Sequence, residues 1–238
     1  IPAAGFGTRF LPMTKASPKE MLPIVDKPVI QFVVEEAVNS GIEDIIIVTG
    51  ANKRAIEDHF DLPNAELVGN LTAGGKQDKI TQVKEIGEMA NFVYIRQKGA
   101  YGNGTPVLCA EPAVDGEPFV VMWGDEFVYS DPPRLKQMME VYDKYGGVVI
   151  SGIRIPEKTD LKKYGIADIN LVADNVYKIN KIVEKPDPDS APSNMATHGA
   201  YILPPEIFPA LKNLKPGLGG EIWLIDAINA LRDQGVPI

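Results

Sequence analysis

The chain has little cysteine or histidine: Cys109 alone, and only His59 and His198, in 238 residues. An internal disulfide is excluded, and the single thiol fits a reducing compartment. A zinc site of Cys and His ligands lacks the residues to form. A Ser-His-Asp or Cys-His set cannot be argued from so few histidines. Long apolar runs are also missing, so nothing reads as a membrane span and no signal peptide is evident. The expectation is a cytoplasmic protein away from membranes. Positive charge is in short supply, with 24 Lys and Arg against 32 Asp and Glu and a net charge of −8. A phosphodiester backbone needs a basic face, so nucleic acid is not an expected partner. A small anion remains compatible, because its site is local. Any metal is expected to be oxygen-liganded, as magnesium is. An initiator Met is absent too, and both ends read as cut within elements.

What is present is concentrated at the start, in "IPAAGFGTRFLPMTKASPKEMLPIVDKP". An apolar Ile1-Pro2-Ala3-Ala4 reads as the end of a strand, and Gly5 and Gly7 follow it. Glycines after a strand let backbone N–H groups approach a phosphate. The dinucleotide fingerprint needs a third small residue and an immediate helix. Here Phe10 holds that place, and Pro12, Pro18 and Pro23 interrupt a helix. The Walker-type Gly-Lys-Ser/Thr is absent. The stretch is therefore a phosphate loop of another kind or an ordinary turn. Arg9, Lys15, Lys19 and Lys27 outnumber Glu20 and Asp26 here, in an otherwise acidic chain. A solvated charge cluster is the competing reading.

Strand and helix patterns alternate over the first 150 residues. "PVIQFVVEEAVNSG" has helical apolar spacing and a closing Gly41. Asp44 to Gly50, Phe92 to Arg96, Pro118 to Trp123 and Gly147 to Ile153 are apolar runs of buried parallel-strand type. Residues 61–91 are poorly patterned, irregular or helical. This rhythm predicts an α/β fold with a Rossmann-like, mainly parallel sheet flanked by helices. Beyond it, "GIADINLVADNVYKINKIVEKP" reads as a hairpin turning at Asp174-Asn175. One domain over 1–238 is expected, with a nucleotide-binding half to about residue 150 and a mixed half from 151 to 238. Ligands in such sheets sit at strand carboxyl ends, which places the Gly5 loop, Gln97-Lys98 and Gly124-Asp125 along one rim.

Three further stretches can carry chemistry, each against a plainer reading. Asp125 ends a buried strand and suits magnesium, or merely opens a loop. Gln97 precedes glycines at 99, 102 and 104 and suits a nucleobase edge, or is part of an ordinary turn. Glu184 and Lys185 end a hairpin strand near Gly165; they suit a sugar hydroxyl and a phosphate, or form a surface ion pair. Cys109 reads as a small core residue. His59 reads as a polar helix residue.

Taken together, these stretches resemble the bacterial-type UTP–glucose-1-phosphate uridylyltransferases, members of the sugar-nucleotidyltransferases. The family pattern is roughly G-x-G-T-R-x-L-P-x-T-K-x-x-P-K-E-M-L-P-I-x-D-K-P, matched here at nearly every fixed place. Pro18-Lys19-Glu20 stands where thymidylyltransferases typically have Ser-Lys-Gln. The likeness continues through "RQK", "GDE", "YGI", "VEKP" and "LKPGLGGEIWLIDAI", over essentially the whole chain.

The resemblance implies a nucleotide-diphospho-sugar transferase fold. It also implies the reaction of UTP with glucose 1-phosphate, assisted by Mg2+, in a homodimer or homotetramer. By motif it implies that Ala3, Ala4, Gly5, Gly7 and Thr8 contact the nucleotide and that Arg9 and Lys19 hold its phosphates. Gln97 and Gly102 would then read uracil, and Asp125 would bind the metal. Gly165 and Glu184 would hold glucose hydroxyls, and Lys185 the sugar phosphate. The chain departs from the pattern at Asn103-Gly104-Thr105-Pro106, where Leu-Gly-His-Ala is usual. It also departs at Glu126 (usually Asp), Ala200 (Arg), Trp223 (Gln) and Ile225 (Thr). The family's second metal-binding Asp falls past residue 238. Alternatives are the same chemistry with dTTP or another hexose 1-phosphate, and a sugar-nucleotide sensor.

Overall fold

Proline and glycine shape the first thirty residues. Short 3₁₀ turns at Thr8–Phe10, Met13–Lys15 and Lys19–Met21 stand where a nucleotide-binding helix would otherwise begin. Prolines lack the N–H that a longer helix would need. A small hairpin follows, β1 (Pro23–Ile24) antiparallel to β2 (Lys27–Pro28). Only then does a regular helix start, α1 (Val29–Asn39), which buries Val29, Ile30, Val33, Val34 and Ala37 on one face. The computed structural model describes residues 1–217 and 219–238 with their side chains, and residue 218 by its backbone alone.

The chain forms two compact units. The first comprises Ile1, Ala3–Arg96 and Gly124–Phe127. Its centre is the parallel pair β3 (Asp44–Thr49) and β4 (Asn91–Arg96), in register from Asp44↔Asn91 to Thr49↔Arg96. Ile45, Ile47 and Val48 of β3 are buried, as a strand covered on both faces requires. The N-terminal residues run beside β3: the Val48 N–H donates to Ile1 O at 2.9 Å and the Ala3 N–H to Val48 O at 2.8 Å. Between the two strands lie α2 (Arg54–His59), α3 (Ala65–Ala73) and α4 (Gln77–Glu88). The poorly patterned stretch 61–91 is thus helical, with Asn64 capping α3 through the Leu67 N–H at 2.8 Å.

The second unit comprises Pro2, Gln97–Trp123 and Val128–Ile238. It contains α5 (Gly104–Cys109), α6 (Glu111–Val114), β5 (Phe119–Met122), α7 (Arg134–Tyr145) and β6 (Val149–Arg154). The expected hairpin follows as β7 (Gly165–Ala173) and β8 (Val176–Glu184), and then come β9 (Met195–Leu203), α8 (Ile207–Asn213) and α9 (Leu224–Asp233). β9 is the hub of a five-stranded sheet. β6 pairs along one of its edges, while β5 and β7 share the other. A core of Leu203, Ile207, Leu211, Leu224, Ile228 and Leu231 packs between this sheet and α8 and α9, each at most 1 % exposed.

The mixed α/β class expected from the sequence is the one formed. The strand directions differ in part: β5 and β6 join the later sheet antiparallel to β9, and do not extend a parallel sheet begun by β3 and β4. The reason is residue partnership, with Val121 and Ile150 both meeting Tyr201 of β9. The main boundary between the compact units falls after Arg96.

Candidate active site

In the first unit the glycine loop is built around one lysine. Ala3 is buried and its N–H is committed to Val48 O, so it has no N–H to offer a phosphate. Ala4 passes tightly over the end of β3; a Cβ on Gly50 would lie 3.0 Å from Ala4 O. Gly7 then turns the chain with φ 64 and ψ 34, a left-handed conformation that suits glycine. A Cβ there would come within 3.1 Å of Lys19 Cβ and 3.2 Å of Thr14 Cγ2, and the Thr14 hydroxyl donates to Gly7 O at 2.7 Å. Gly5 also borders this lysine, its absent Cβ 3.8 Å from Lys19 Cε. Lys19 Nζ donates to Asp125 Oδ2 at 2.5 Å, with both side chains partly exposed. Thr8 and Arg9 are exposed on the adjoining 3₁₀ turn.

Behind Lys19 stands a pair that the sequence reading did not single out. Glu20 and Lys53 are 1 % and 4 % exposed and form an ion pair at 2.7 Å. Burial pushes the Glu20 carboxyl up, and the Lys53 ammonium partly offsets this. The other carboxylate oxygen, Oε1, is buried without a hydrogen-bond partner. No local signal marks this pair, since its members are 33 residues apart. It clamps the backbone next to Lys19 against the start of α2. Lys27, counted with the cationic cluster, serves the fold: it bonds both Glu35 carboxylate oxygens at 2.9 Å and lies over the Phe32 ring.

Asp125 reaches this unit from the end of β5 by way of Trp123 and Gly124. Its segment is pinned by Phe127, stacked on Phe32 of α1 at 4.7 Å between ring centroids. No cluster of three or more His, Cys, Asp or Glu suited to a metal exists among the described residues. A single partly exposed carboxylate still fits magnesium, which keeps several waters and is held by one or two carboxylates together with substrate phosphates.

In the second unit, Gln97 is half-buried directly after β4. Gly102 has φ 116, and a Cβ on it would fall 2.2 Å from Ile222 O, far inside van der Waals contact with backbone, so only glycine fits. This crossing is laced on both sides. The Ile222 N–H donates to Tyr101 O at 2.9 Å, the Gly104 N–H to Ile222 O at 2.9 Å, and the Leu224 N–H to Asn103 Oδ1 at 2.8 Å. The departures at 103–106 therefore face inward: Asn103 caps α9, while Gly104, Thr105 and Pro106 are buried in α5. Cys109 is only half-buried, unlike the core residue expected, and its thiol meets Lys98 O at 3.4 Å.

Gly165 is paired in register with Glu184 across the β7–β8 hairpin. A Cβ on Gly165 would sit 2.9 Å from Thr197 Oγ1 and 3.1 Å from Glu184 Oε2, so its absence leaves a small polar cradle. Thr197, also missed in the sequence, is buried and donates to Gly165 O. Burial raises the Glu184 carboxyl; the Lys185 ammonium opposes this and Asp226 adds to it. Lys185 has φ 46, gives its N–H to Tyr164 O at 2.9 Å, and sets Nζ 4.4 Å over the Trp223 ring. The histidines serve no such cluster. His59 meets Gln31 Oε1 at 3.0 Å, and burial lowers its pKa. His198 is also lowered, by burial and then by Arg134.

A model of the nucleotidyl transferase family matches residues 1–237. The chain is 53 % identical over 228 residues to a UTP–glucose-1-phosphate uridylyltransferase of Bacillus subtilis (strain 168), covering 96 % of this chain and 76 % of that protein. Among solved structures, a UDP-glucose pyrophosphorylase complexed with UDP-glucose has a TM-score of 0.88 and 41 % identity, covering 100 % of this chain and 86 % of the other. A UTP-bound enzyme of the same kind from Acinetobacter baumannii has a TM-score of 0.90 and 37 % identity, with 100 % and 82 % covered.

Proposed function

The chain belongs to the nucleotidyl transferase family, and on that premise we propose that it transfers the uridylyl group of UTP to glucose 1-phosphate. The products are UDP-glucose and pyrophosphate. A phosphate oxygen of the sugar attacks the α-phosphorus, and the bond to the β-phosphate breaks as pyrophosphate leaves in line. The nucleophile is already ionised near neutral pH, so no side chain need accept a proton. Both reactants are anions, and catalysis is a matter of alignment and charge stabilisation. The observation that carries the reading is the glycine-lined Lys19, held against Asp125 at the end of a strand connection.

Each residue then has one task. Arg9 and Lys19 neutralise the triphosphate, and the backbone at Ala4, Gly5, Gly7 and Thr8 approaches it closely. Ala3 contributes position, its N–H being spent on β3. Gln97 offers a donor and an acceptor to uracil beside the backbone of Gly102. Glu184 accepts glucose hydroxyls over the space left at Gly165, and Lys185 holds the sugar phosphate. Asp125 would hold Mg2+, which when bound supplies positive charge to the phosphates. The active form is a homo-oligomer. No helix among the described residues is long and apolar enough to cross a membrane.

The test is pyrophosphate release with UTP, Mg2+ and glucose 1-phosphate, run beside dTTP and other hexose 1-phosphates. Release is expected to be fastest with the UTP and glucose pair. No release with any nucleotide would overturn the reading. Of the altered residues 103–106, Asn103 accepts the Leu224 N–H of α9 with its side-chain oxygen.

A further inference from the structure

Lys185 is fixed at its backbone and loosely held at its tip. Its left-handed φ of 46 and its N–H bond to Tyr164 O set the direction in which the side chain leaves β8. The flexible four-carbon stem would otherwise sample many rotamers. Glu184 does not settle the ammonium, since the nearest carboxylate oxygen is 3.8 Å from Nζ, beyond hydrogen-bond length. What faces the ammonium is an aromatic ring, that of Trp223, 4.4 Å from Nζ to the centroid. That is well inside the range of a cation–π contact, for which indole is the strongest partner.

Trp223 is in turn held unusually firmly for a residue between a loop and a helix. The preceding residue, Ile222, is laced through both its N–H and its carbonyl to Tyr101 and Gly104. The following residue, Leu224, is fully buried and gives its N–H to Asn103. Trp223 and Asn103 are both positions where the chain departs from its family pattern, and the structure brings the two departures together. The indole is thus a wall, anchored on both sides along the chain, beside the Lys185 ammonium.

We propose that Trp223 is a positioning residue that holds the Lys185 ammonium ready for the phosphate of glucose 1-phosphate. The inference rests on the uridylyl-transfer reading above, in which Lys185 receives that phosphate. It goes beyond that reading by making the affinity of the sugar phosphate depend on an aromatic face at position 223. The indole does not touch the reacting atoms. It limits the conformations that Lys185 must give up when the sugar arrives.

The experiment is a double-mutant cycle of Lys185→Met and Trp223→Leu, with Trp223→Phe as the conservative variant. Trp223→Leu is expected to raise KM for glucose 1-phosphate about two- to five-fold, the size of an exposed cation–π contact. KM for UTP and kcat should change less than two-fold. Trp223→Phe should restore most of the loss, and Trp223→Leu should have no further effect once Lys185 is Met. Indole emission should also change on titration with glucose 1-phosphate in the wild type, but not in Lys185→Met or Trp223→Phe. Additive effects in the cycle, equal loss with Leu and Phe, or a matching rise in KM for UTP would overturn the proposal. If Trp223→Leu does not fold, Trp223→Gln takes its place in the cycle, with the same outcomes expected and the same outcomes overturning the proposal. Wild-type protein that turns over with an additive cycle defeats only this inference; wild-type protein inert with every nucleotide defeats the reading beneath it.

Discussion

Lys19 and Asp125 are partly exposed, and on the roles proposed above their value lies in charge placement, so their removal should cost activity and leave the fold intact. Lys19→Ala and Asp125→Ala are each expected to lower kcat by about 100-fold or more, the range for losing one preorganised electrostatic partner. Circular dichroism and melting should stay close to wild type, and near-wild-type turnover would remove the assignment. Glu20 and Lys53 should behave in the opposite way. Replacing Lys53 with Met leaves a buried carboxylate alone, a change that costs about 3–5 kcal/mol in comparable pairs, measurable by urea unfolding. Glu184 makes the pH dependence testable. Its carboxyl is raised by burial, so folding favours its protonated form. Its contribution to stability is full below the ordinary carboxylate value and is lost as pH rises through the folded one. As an acceptor for sugar hydroxyls it must be ionised. KM for glucose 1-phosphate should therefore begin to climb on acidification above the ordinary glutamate value of about 4.3, and Glu184→Gln should lack that limb. Asp125 and Glu184 stand out as candidates in the sequence because each sits at a strand end, and Lys19 because it belongs to a cationic cluster within the family pattern. Glu20–Lys53 and Thr197 do not, because their partners are brought in from distant stretches of chain.

Among the elements, the β7–β8 hairpin and the 101–104 crossing were read with unequal success. The hairpin carries its own turn, with Asn175 at φ 55, and its register alone sets Gly165 opposite Glu184. Gly165→Ala should push against Thr197 Oγ1 and Glu184 Oε2, both of which must then shift, raising KM for glucose 1-phosphate about ten-fold together with a modest fall in melting temperature. The crossing was read as a base-side loop, and Gly102 as a residue that reads uracil. Its geometry adds a structural duty. Gly102→Ala should destabilise the protein by well over 1 kcal/mol, since both its φ and its contact with the Ile222 backbone forbid a side chain. That duty was hidden from a linear reading because Ile222 lies far downstream. The same limit explains β5 and β6. Their apolar runs announced strands, but nothing within them named β9 as the partner.

For the molecule as a whole, alternation of strand and helix announced the α/β class, and the family pattern announced the chemistry. What composition could not convey is how a chain of net charge −8 receives two anions. The Lys19–Asp125 contact bears on this. Each group is the other's counter-ion. On the assignments proposed above, a triphosphate that takes Lys19 strands a carboxylate, and a divalent cation that takes Asp125 strands an ammonium. Only the two exchanges together give both Lys19 and Asp125 a new counter-ion. Binding of nucleotide and of Mg2+ is then thermodynamically linked, each raising the affinity for the other by the same factor. Melting curves should show a rise with UTP and Mg2+ together that exceeds the sum of the rises with UTP in chelator and with Mg2+ alone. Asp125→Asn should make the two rises additive. On those assignments the ion pair would be a coincidence detector, answering to the metal–nucleotide complex more strongly than to either component by itself.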